Sequence, residues 1–295
     1  MLIDTIIDFC DTEYQNKRCY NCSYGAHCPD AHCDRCLHYI HTPTAAPAPR
    51  KYDCSNMANL YTCKYSYKYM SELIYAMQKL KDLRGKKHLK VMSVGCGPCT
   101  DLFALDYLEE TGVYHFDTVK FRGIDVAKDV WKNIHKQIKN YDKERYKVHF
   151  YYEDITELID TIVEVRWVPD FIVFQYVFSD MEKHCPQEKL QVFISKMASF
   201  INKDMHENTY IVLNDINLTT AKGGGREHFD ELLGKILDSE YWQFHFSNSN
   251  RATHFNYGDE YEINDLVRKL PKKLQNYEPF DSCASAQLII KKVIE

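Results

Sequence analysis

The chain lacks the sequence features of three large classes: membrane-spanning proteins, secreted proteins with a leader, and strongly basic nucleic-acid-binding proteins. It has no apolar run of about eighteen residues, so no segment is long enough to form a membrane-spanning helix. Its opening stretch, MLIDTIIDFC, carries two aspartates and no basic residue, unlike a secretory leader. Its net charge of −5 lacks the positive excess of proteins that grip nucleic acid mainly through phosphates. We therefore expect a soluble cytoplasmic protein with no membrane partner.

Cysteine, by contrast, is plentiful and unevenly placed. Eight of the twelve cysteines fall within the first 63 residues of this 295-residue chain. Structural disulfides are rare in a reducing cytoplasm, where clustered cysteines are more often metal ligands. The distribution predicts a cysteine-rich zinc-binding module over residues 1–64 and one larger domain over residues 65–295.

Two CxxC knuckles form the centre of the predicted metal site. Cys19 and Cys22 make the first knuckle, and Cys33 and Cys36 make the second. Each knuckle can turn two thiolates toward one tetrahedral ion. The full set of candidate ligands is Cys19, Cys22, Cys28, Cys33, Cys36, His41, Cys54 and Cys63. This set suffices for one or two zinc ions, and the alternative is that the cysteines are free and act as small buried hydrophobes.

The predicted zinc would support folding, because a closed four-thiolate site has no open position for water. The module also holds seven acidic residues against five basic ones up to residue 63, which argues against a nucleic-acid finger. We expect it to pack on the neighbouring domain or on a partner.

From residue 88 onward, apolar runs alternate with helical patterns. HLKVMSVG, VKFRGID and DFIVFQYV are examples of the apolar runs, and KDVWKNIHKQI and QEKLQVFISKMASFI of the helical ones. Such alternation predicts an α/β fold with a mostly parallel sheet covered by helices on both faces. We expect seven strands in this sheet.

A glycine turn follows the first of these strands in LKVMSVGCGPCTDLFAL. Gly95 and Gly97 let the backbone approach a ligand closely, and the helix beyond offers free N–H groups to an anion. A dinucleotide fingerprint would have a third glycine at position 100, where this chain has Thr100. A nucleotide-dependent oxidoreductase is therefore disfavoured.

In their order along the chain, four segments resemble the motifs of class I S-adenosylmethionine-dependent methyltransferases. SVGCGPCTD is similar to the first motif of that superfamily, and FRGIDVAKDV to the acidic end of its second strand. FYYEDITEL is similar to the third-strand motif, and PDFIVFQYVFSD to the fourth strand. The resemblance covers roughly residues 65–295 and implies a Rossmann-like fold with S-adenosylmethionine as cofactor.

The resemblance also implies a role for particular residues. Asp125 would hydrogen-bond the ribose hydroxyls, Asp154 the adenine amino group, and the Ile155 backbone would meet the ring. The implied cofactor site comprises Ser93, Gly95, Cys96, Gly97, Asp101, Asp125, Val126, Asp154, Ile155, Phe174 and Gln175. Ser93 stands where the superfamily usually has an acidic residue, and Asp101 is placed to compensate in part from the first helical turn. The alternative is that Asp101 is an acid at a helix start, which the helix dipole favours.

Methyl transfer needs little covalent machinery, because the protein mainly aligns a nucleophile behind an electrophilic methyl group. Tyr176 and Asp180 follow the fourth strand, so we expect one of them to orient or deprotonate the acceptor. The alternative is that Tyr176 only packs and that Asp180 belongs to a capped helix start. The acceptor itself, a small molecule, protein or nucleic acid, is not identified by the sequence. The alternative function is a non-catalytic S-adenosylmethionine sensor or a partner-docking protein.

The zinc module joins the main domain through YTCKYSYKYMSEL, which is rich in tyrosine. We expect the module to cover the acceptor site as a lid, with Tyr61, Tyr65 or Tyr67 facing the pocket. The alternative is that these tyrosines only join the two parts, because half-buried tyrosine suits any interface.

Overall fold

The structure, a computed structural model, describes residues 1–15, 32–46, 50–141, 144–246 and 256–293. The strands within these ranges are β1 His88–Val94, β2 Thr118–Ile124, β3 Tyr146–Tyr151, β4 Phe171–Gln175, β5 Tyr210–Ile216, β6 Ser239–Phe246, β7 Glu260–Glu262 and β8 Ser285–Lys292. The α-helices are α1 Leu2–Glu13, α2 Cys33–His41, α3 Ser55–Gln78, α4 Thr100–Glu110, α5 Lys128–Asn140, α6 Ile155–Glu164, α7 Val177–His184, α8 Gln187–Asp204 and α9 Glu227–Leu233. None of these helices combines the length and apolar character needed to cross a bilayer.

One sheet of eight strands forms the centre of the fold, in the order β3-β2-β1-β4-β5-β8-β6-β7. Strands β1 to β5 are mutually parallel, and β8 runs antiparallel between β5 and β6. The strand order reverses between β1 and β4, and an open α/β sheet binds its ligand at the carboxyl ends of the strands beside such a reversal. The topology therefore places the expected site after β1, β2 and β4.

The predicted α/β fold is confirmed, but the strand count of seven is wrong. The additional strand is β7, a three-residue strand that pairs in parallel with the end of β6. Its sequence, Glu-Tyr-Glu, is short and mostly acidic, so it shows no apolar run from which a strand could be predicted.

Helices cover both faces of the sheet because successive strand residues point to opposite sides. On β1, Val91 packs in the hydrophobic cluster that includes α1, α3, α4 and α5, whereas Met92 packs in the cluster of α6, α8 and α9. Both residues are fully buried. The apolar runs of the sequence thus supply two cores, one on each side of the parallel strands.

The N-terminal residues contribute directly to the first of these cores. Leu2, Ile3, Ile6 and Ile7 form the buried face of α1 and join the same hydrophobic cluster as the sheet. Helix α3 runs without interruption from Ser55 to Gln78, so the expected boundary after residue 64 falls inside it. The division into two domains stays a prediction.

Candidate functional site

The glycine turn after β1 has a backbone that favours glycine. Gly95 and Gly97 have φ angles of +62° and +46°, and a Cβ added to Gly95 would lie 2.8 Å from Val177 Cγ2. Cys99 is also left-handed, with φ of 63°, and is the N-cap of α4. Its N–H donates to the Cys96 carbonyl at 2.7 Å, which closes the turn. The turn therefore starts α4 at the carboxyl edge of the sheet.

Asp125 lies against this turn because β1 and β2 pair in parallel, with Val94 opposite Ile124. The Gly97 N–H donates to Asp125 Oδ2 at 3.0 Å, and the Ala127 N–H donates to Oδ1 at 2.8 Å. Burial raises the pKa of Asp125, and the two backbone hydrogen bonds oppose that shift. The structure thus brings Asp125, the predicted ribose ligand, into contact with the glycine turn.

Asp101, in the first turn of α4, has a buried carboxylate with one unbonded oxygen. Its Oδ1 accepts from the Leu102 N–H at 2.9 Å, while Oδ2 has no hydrogen-bond partner among the described residues. Burial raises the pKa of Asp101 to about 6, and the nearby Ser93 hydroxyl opposes the shift. Both side chains line a small cavity of about 30 Å³ beside the turn, together with Tyr61 and Tyr69. A buried acceptor of this kind marks a place where a donor can bind.

Asp154 already has partners in the structure. It caps α6, where its Oδ1 accepts from the N–H and hydroxyl of Thr156 at 3.0 and 2.8 Å, and Oδ2 pairs with Lys189 at 2.6 Å. Burial raises the pKa of Asp154, but the bonds from Lys189 and Thr156 outweigh it and lower the pKa overall. Asp154 lines a second, larger cavity with Ile155 and the exposed Val126. Its role at an adenine amino group stays a prediction.

Phe174 does not line the large cavity, contrary to expectation. Its ring is buried and packs on Phe178 and Phe193, with centroid distances of 5.8 and 5.9 Å. Both faces of β4 are buried, so the sequence could not show which side chain meets the ligand. Gln175 does line the cavity, and its Nε2 donates to the Tyr69 carbonyl at 2.8 Å.

Tyr176 belongs to a buried polar network that sequence reasoning missed. Its hydroxyl donates to Glu72 Oε2 at 2.8 Å, and Lys68 pairs with Glu72 Oε1 at 2.8 Å and contacts the Tyr176 hydroxyl. Burial raises the pKa of Tyr176 well above its ordinary value, so the phenol stays protonated. The sequence did contain one indication of this network. Lys68 and Glu72 are four residues apart in helix α3, a spacing that lets opposite charges pair on one face of a helix.

Asp180 lies in α7 on the wall of the large cavity. Desolvation by the cavity wall raises the pKa of Asp180 to about 7 and Lys183 opposes the shift, although 43% of the Asp180 side chain remains exposed to the cavity. A carboxyl with a pKa near the operating pH is suited to general acid or base chemistry. The structure therefore leaves Asp180, more than Tyr176, available to exchange a proton with an acceptor.

The raised pKa of Asp180 predicts a pH-dependent difference in stability. Because the folded-state pKa lies above the unfolded value of about 3.9, the unfolded chain loses this proton first, and stability falls as the pH rises from about 4 through about 7. The stability of Asp180→Asn relative to the wild type should therefore increase over this range and level off above about pH 8. Urea unfolding at several pH values measures the effect, and a difference that does not change with pH would contradict it.

A wall of aromatic rings bounds the large cavity, which has a volume of about 1510 Å³. Neighbouring rings stack or meet at a tilt, such as Tyr61 and Tyr65 at 4.7 Å and Tyr69 and Tyr176 at 4.1 Å between centroids. The aromatic lining comprises Tyr52, Tyr61, Tyr65, Tyr69, Trp131, Tyr176, Phe193 and Phe280. Tyr67 is not part of it, because it is fully buried and lies near Arg268 and Asp4.

The structure brings two of the predicted zinc ligands together. A hydrogen bond between the thiols of Cys33 and Cys54 lowers the pKa of Cys54 to about 6, with burial opposing it and the Met57 and Asn56 amides assisting. Cys33 begins α2 and Cys54 is the N-cap of α3, with the Asn56 Nδ2 3.1 Å from Cys33 Sγ. Cys36 lies one turn after Cys33 in α2. Three further candidates, Cys19, Cys22 and Cys28, lie outside the described residues.

Two other predicted ligands lie away from this pair of thiols. His41 uses both ring nitrogens on tyrosines, with Nε2 3.1 Å from the Tyr52 hydroxyl and Nδ1 3.2 Å from the Tyr65 hydroxyl. Cys63 is buried near Cys10, and burial raises the pKa of its thiol to about 12. Helix α3 carries Cys63 more than two turns beyond Cys54. We therefore leave His41 and Cys63 out of the ligand set.

Comparisons with known proteins gave matches among solved structures. No protein-family model and no curated protein sequence matches this chain. A SAM-dependent methyltransferase from Archaeoglobus fulgidus is 15% identical, with a TM-score of 0.41 over 75% of this chain and 94% of that one. The plantazolicin methyltransferase BpumL in complex with SAH is 13% identical, with a TM-score of 0.45 over 99% and 100%. Human methyltransferase-like protein 13 in complex with SAH is 12% identical, with a TM-score of 0.41 over 77% and 82%.

Each of these is a likeness of fold at low sequence identity, and none assigns an activity to this chain. The strand order, the reversal between β1 and β4 and the glycine turn beside it define a Rossmann-like, doubly wound α/β fold.

Proposed function

We propose that this protein transfers a methyl group from S-adenosylmethionine to an acceptor bound in the aromatic cavity. The observation that carries the proposal is the grouping of the glycine turn, Asp125 and the unbonded oxygen of Asp101 at the switch point of the sheet. When bound, the cofactor supplies the electrophilic methyl group, and the protein supplies binding and alignment.

The residues present fit this cofactor. Its amino acid part carries an ammonium group, and Asp101 Oδ2 is a buried oxygen with no hydrogen-bond partner among the described residues, in a carboxylate that has the Ser93 hydroxyl nearby. Asp101 thereby replaces the acidic residue that the superfamily has at the position of Ser93. Asp125 stands at the end of β2, next to the glycine turn, where a carboxylate can accept hydrogen bonds from ribose hydroxyls.

Residues of the cavity wall would orient the acceptor and accept its proton. Tyr61 and Tyr69 line both the small cavity at Asp101 and the large one, so the two cavities adjoin beside the glycine turn. Asp180, with a pKa of about 7, would accept the proton that a nucleophile loses on methylation. Tyr176 would orient the acceptor through its ring, since its hydroxyl is engaged by Glu72 and Lys68.

Calorimetry with S-adenosylhomocysteine on the full chain tests the proposal. We expect saturable binding at a one-to-one ratio, and the absence of binding to folded wild-type protein would overturn it. The engaged hydroxyl of Tyr176 favours the second candidate, a sensor that binds the cofactor without turnover. Transfer of a labelled methyl group from S-adenosylmethionine into an extract of metabolites and macromolecules distinguishes the two, because a sensor would bind and transfer nothing.

We also propose a structural zinc ion held by Cys33 and Cys54, with further ligands from Cys36 and from the three candidates outside the described residues, Cys19, Cys22 and Cys28. The contact between the Cys33 and Cys54 thiols supports it, because zinc binds paired thiolates. Cys33→Ser should remove at least one zinc ion per chain and lower the stability of the N-terminal segment. Elemental analysis measures the loss, with Cys185→Ser as the control, and an unchanged zinc content would contradict the assignment.

The lid role of the N-terminal segment is supported by the cavity wall. Tyr61 and Tyr65 of α3 and Tyr52 before it line the cavity, which agrees with a wall that covers the acceptor site. Tyr61→Ala should weaken S-adenosylhomocysteine binding by about 1 kcal/mol or more, because it removes ring contacts beside the small cavity. Tyr241→Ala, at an exposed tyrosine on β6 outside the cavity, is the matched control. Equal affinities for the two variants would exclude the lid.

A further inference from the structure

Three metal-ligating side chains converge at the glycine turn. The two thiols of Cys96 and Cys99 and a ring nitrogen of His135 all lie within 4.8 Å of one another, and all three residues are buried. Across the described ranges of the chain, no other three cysteine, histidine or acidic side chains form a comparable group. The cluster is separate from the cysteine-rich N-terminal segment.

The backbone holds this cluster in place. Cys96 and Cys99 flank Gly97 and Pro98 in a turn closed by the 2.7 Å hydrogen bond from the Cys99 N–H to the Cys96 carbonyl. Helix α5 supplies His135, whose Nε2 lies 3.9 Å from Cys96 Sγ. Two CxxC thiols on such a turn are the usual half of a tetrahedral zinc site.

The imidazole is oriented as a ligand would be. Its ring stacks on Phe150 at 3.8 Å between centroids with an interplanar angle of 6°. Its Nδ1 lies 3.0 Å from the Tyr152 hydroxyl, and its Nε2, which donates to the Gly97 carbonyl at 2.7 Å, is the nitrogen nearer the Cys96 thiol. Metal-ligating histidines are typically held by a hydrogen bond of this kind on the other ring nitrogen.

We propose that Cys96, Cys99 and His135 bind a thiophilic metal ion, zinc in the first instance, at the glycine turn. The ion would join the start of α4 to α5. Because the Gly97 N–H bonds Asp125, it would also hold the turn in the form that meets the cofactor. The proposal rests on the cluster's geometry and stands whether or not the protein transfers methyl groups.

Charge and protons balance in such a site. Two thiols each lose a proton to water, and the resulting two negative charges match the doubly positive ion, so the buried site is neutral. In the structure Nε2–H donates to the Gly97 carbonyl at 2.7 Å. On metal binding the imidazole would stay neutral, with its proton moved to Nδ1, where the Tyr152 hydroxyl can accept it, and with Nε2 released toward the ion. Three protein ligands would leave the fourth position of a tetrahedral ion to water.

Metal titration of the full chain tests the proposal. Reduced protein stripped with a chelator is titrated with Co²⁺ alone and then Zn²⁺ alone, and thiolate-to-cobalt absorption and bound equivalents are recorded. Cys33→Ser, which disables the N-terminal site, should still bind at least one ion with this absorption. Adding Cys96→Ser or Cys99→Ser to it should remove one equivalent, while adding Cys185→Ser should not.

His135→Gln provides a second, milder variant, because it keeps both thiols. It should weaken binding at least tenfold without loss of helical signal in circular dichroism. The proposal is overturned if Cys33→Ser binds no ion, or if the Cys96 and Cys99 variants bind as many equivalents as their parent. A Cys96–Cys99 disulfide that survives reduction and excludes metal would overturn it equally.

Discussion

Glu72→Ala is expected to lower the free energy of unfolding by about 3 to 5 kcal/mol, the cost of leaving a buried charge without its partner. Glu72 is completely buried and accepts hydrogen bonds from Tyr176, Asn214 and the Ala284 N–H in addition to its ion pair with Lys68. The substitution leaves the Lys68 ammonium, itself nearly buried, facing aromatic rings and a single phenol oxygen. Urea unfolding measures the loss.

A double variant separates the unpaired charge from lost packing. Lys68→Met with Glu72→Met removes both charges and keeps similar volumes, so it should cost less than Glu72→Ala alone. The exposed Glu153→Ala is the control for truncation of a carboxylate outside the network. If the free energy of unfolding of Glu72→Ala lies within about 1 kcal/mol of the wild-type value, the network of Glu72, Lys68 and Tyr176 does not act as a unit.

Asp125→Ala is expected to weaken S-adenosylhomocysteine binding by about 1 to 3 kcal/mol, or roughly 5- to 150-fold in dissociation constant. Asp125 offers a carboxylate at the end of β2, beside the glycine turn, and truncation also frees the Gly97 and Ala127 N–H groups. Both effects disfavour the bound state, because the turn loses its support and the ribose loses its acceptor. Calorimetry on the variant and the wild type measures the difference.

Two controls accompany this measurement. Asp160→Ala removes an exposed aspartate of α6 that pairs with Lys196, and it should leave the affinity unchanged. Asp125→Asn keeps the shape and one acceptor oxygen, so it should fall between the wild type and Asp125→Ala. Wild-type affinity in Asp125→Ala would remove this residue from the cofactor site, while leaving the binding of the cofactor itself intact.

Much of the fold could be predicted from the sequence, because parallel strands buried on both faces are continuous apolar runs. Each of the runs assigned to a strand between residues 88 and 292 is a strand of the sheet. The exception is β7, whose three residues take their strand conformation from pairing with β6 and carry no apolar signal of their own. Short polar strands depend on a neighbour that only the folded chain supplies.

The candidate site was predictable only in part. Glycines at 95 and 97 and the acid at 125 follow strand ends, and the carboxyl ends of parallel strands share one edge of a sheet, so their proximity follows from the order of the motifs. The sequence could not predict the orientation of the Phe174 side chain, because both faces of β4 are buried and apolar. The contact of His135 with Cys96 joins residues 39 positions apart, and no spacing rule connects them.

The sequence by itself determined the α/β class, the glycine turn and the acid beside it, since these depend on local backbone preferences and on the alternation of apolar runs. Only the tertiary structure decided which buried polar groups find partners. It paired Glu72 with Lys68 and Tyr176, and within the part of the chain that the structure describes it left Asp101 Oδ2 without a donor. The physical reason is that burial and hydrogen-bond satisfaction depend on what packs from distant parts of the chain, whereas strand and turn preferences are set by neighbours in sequence.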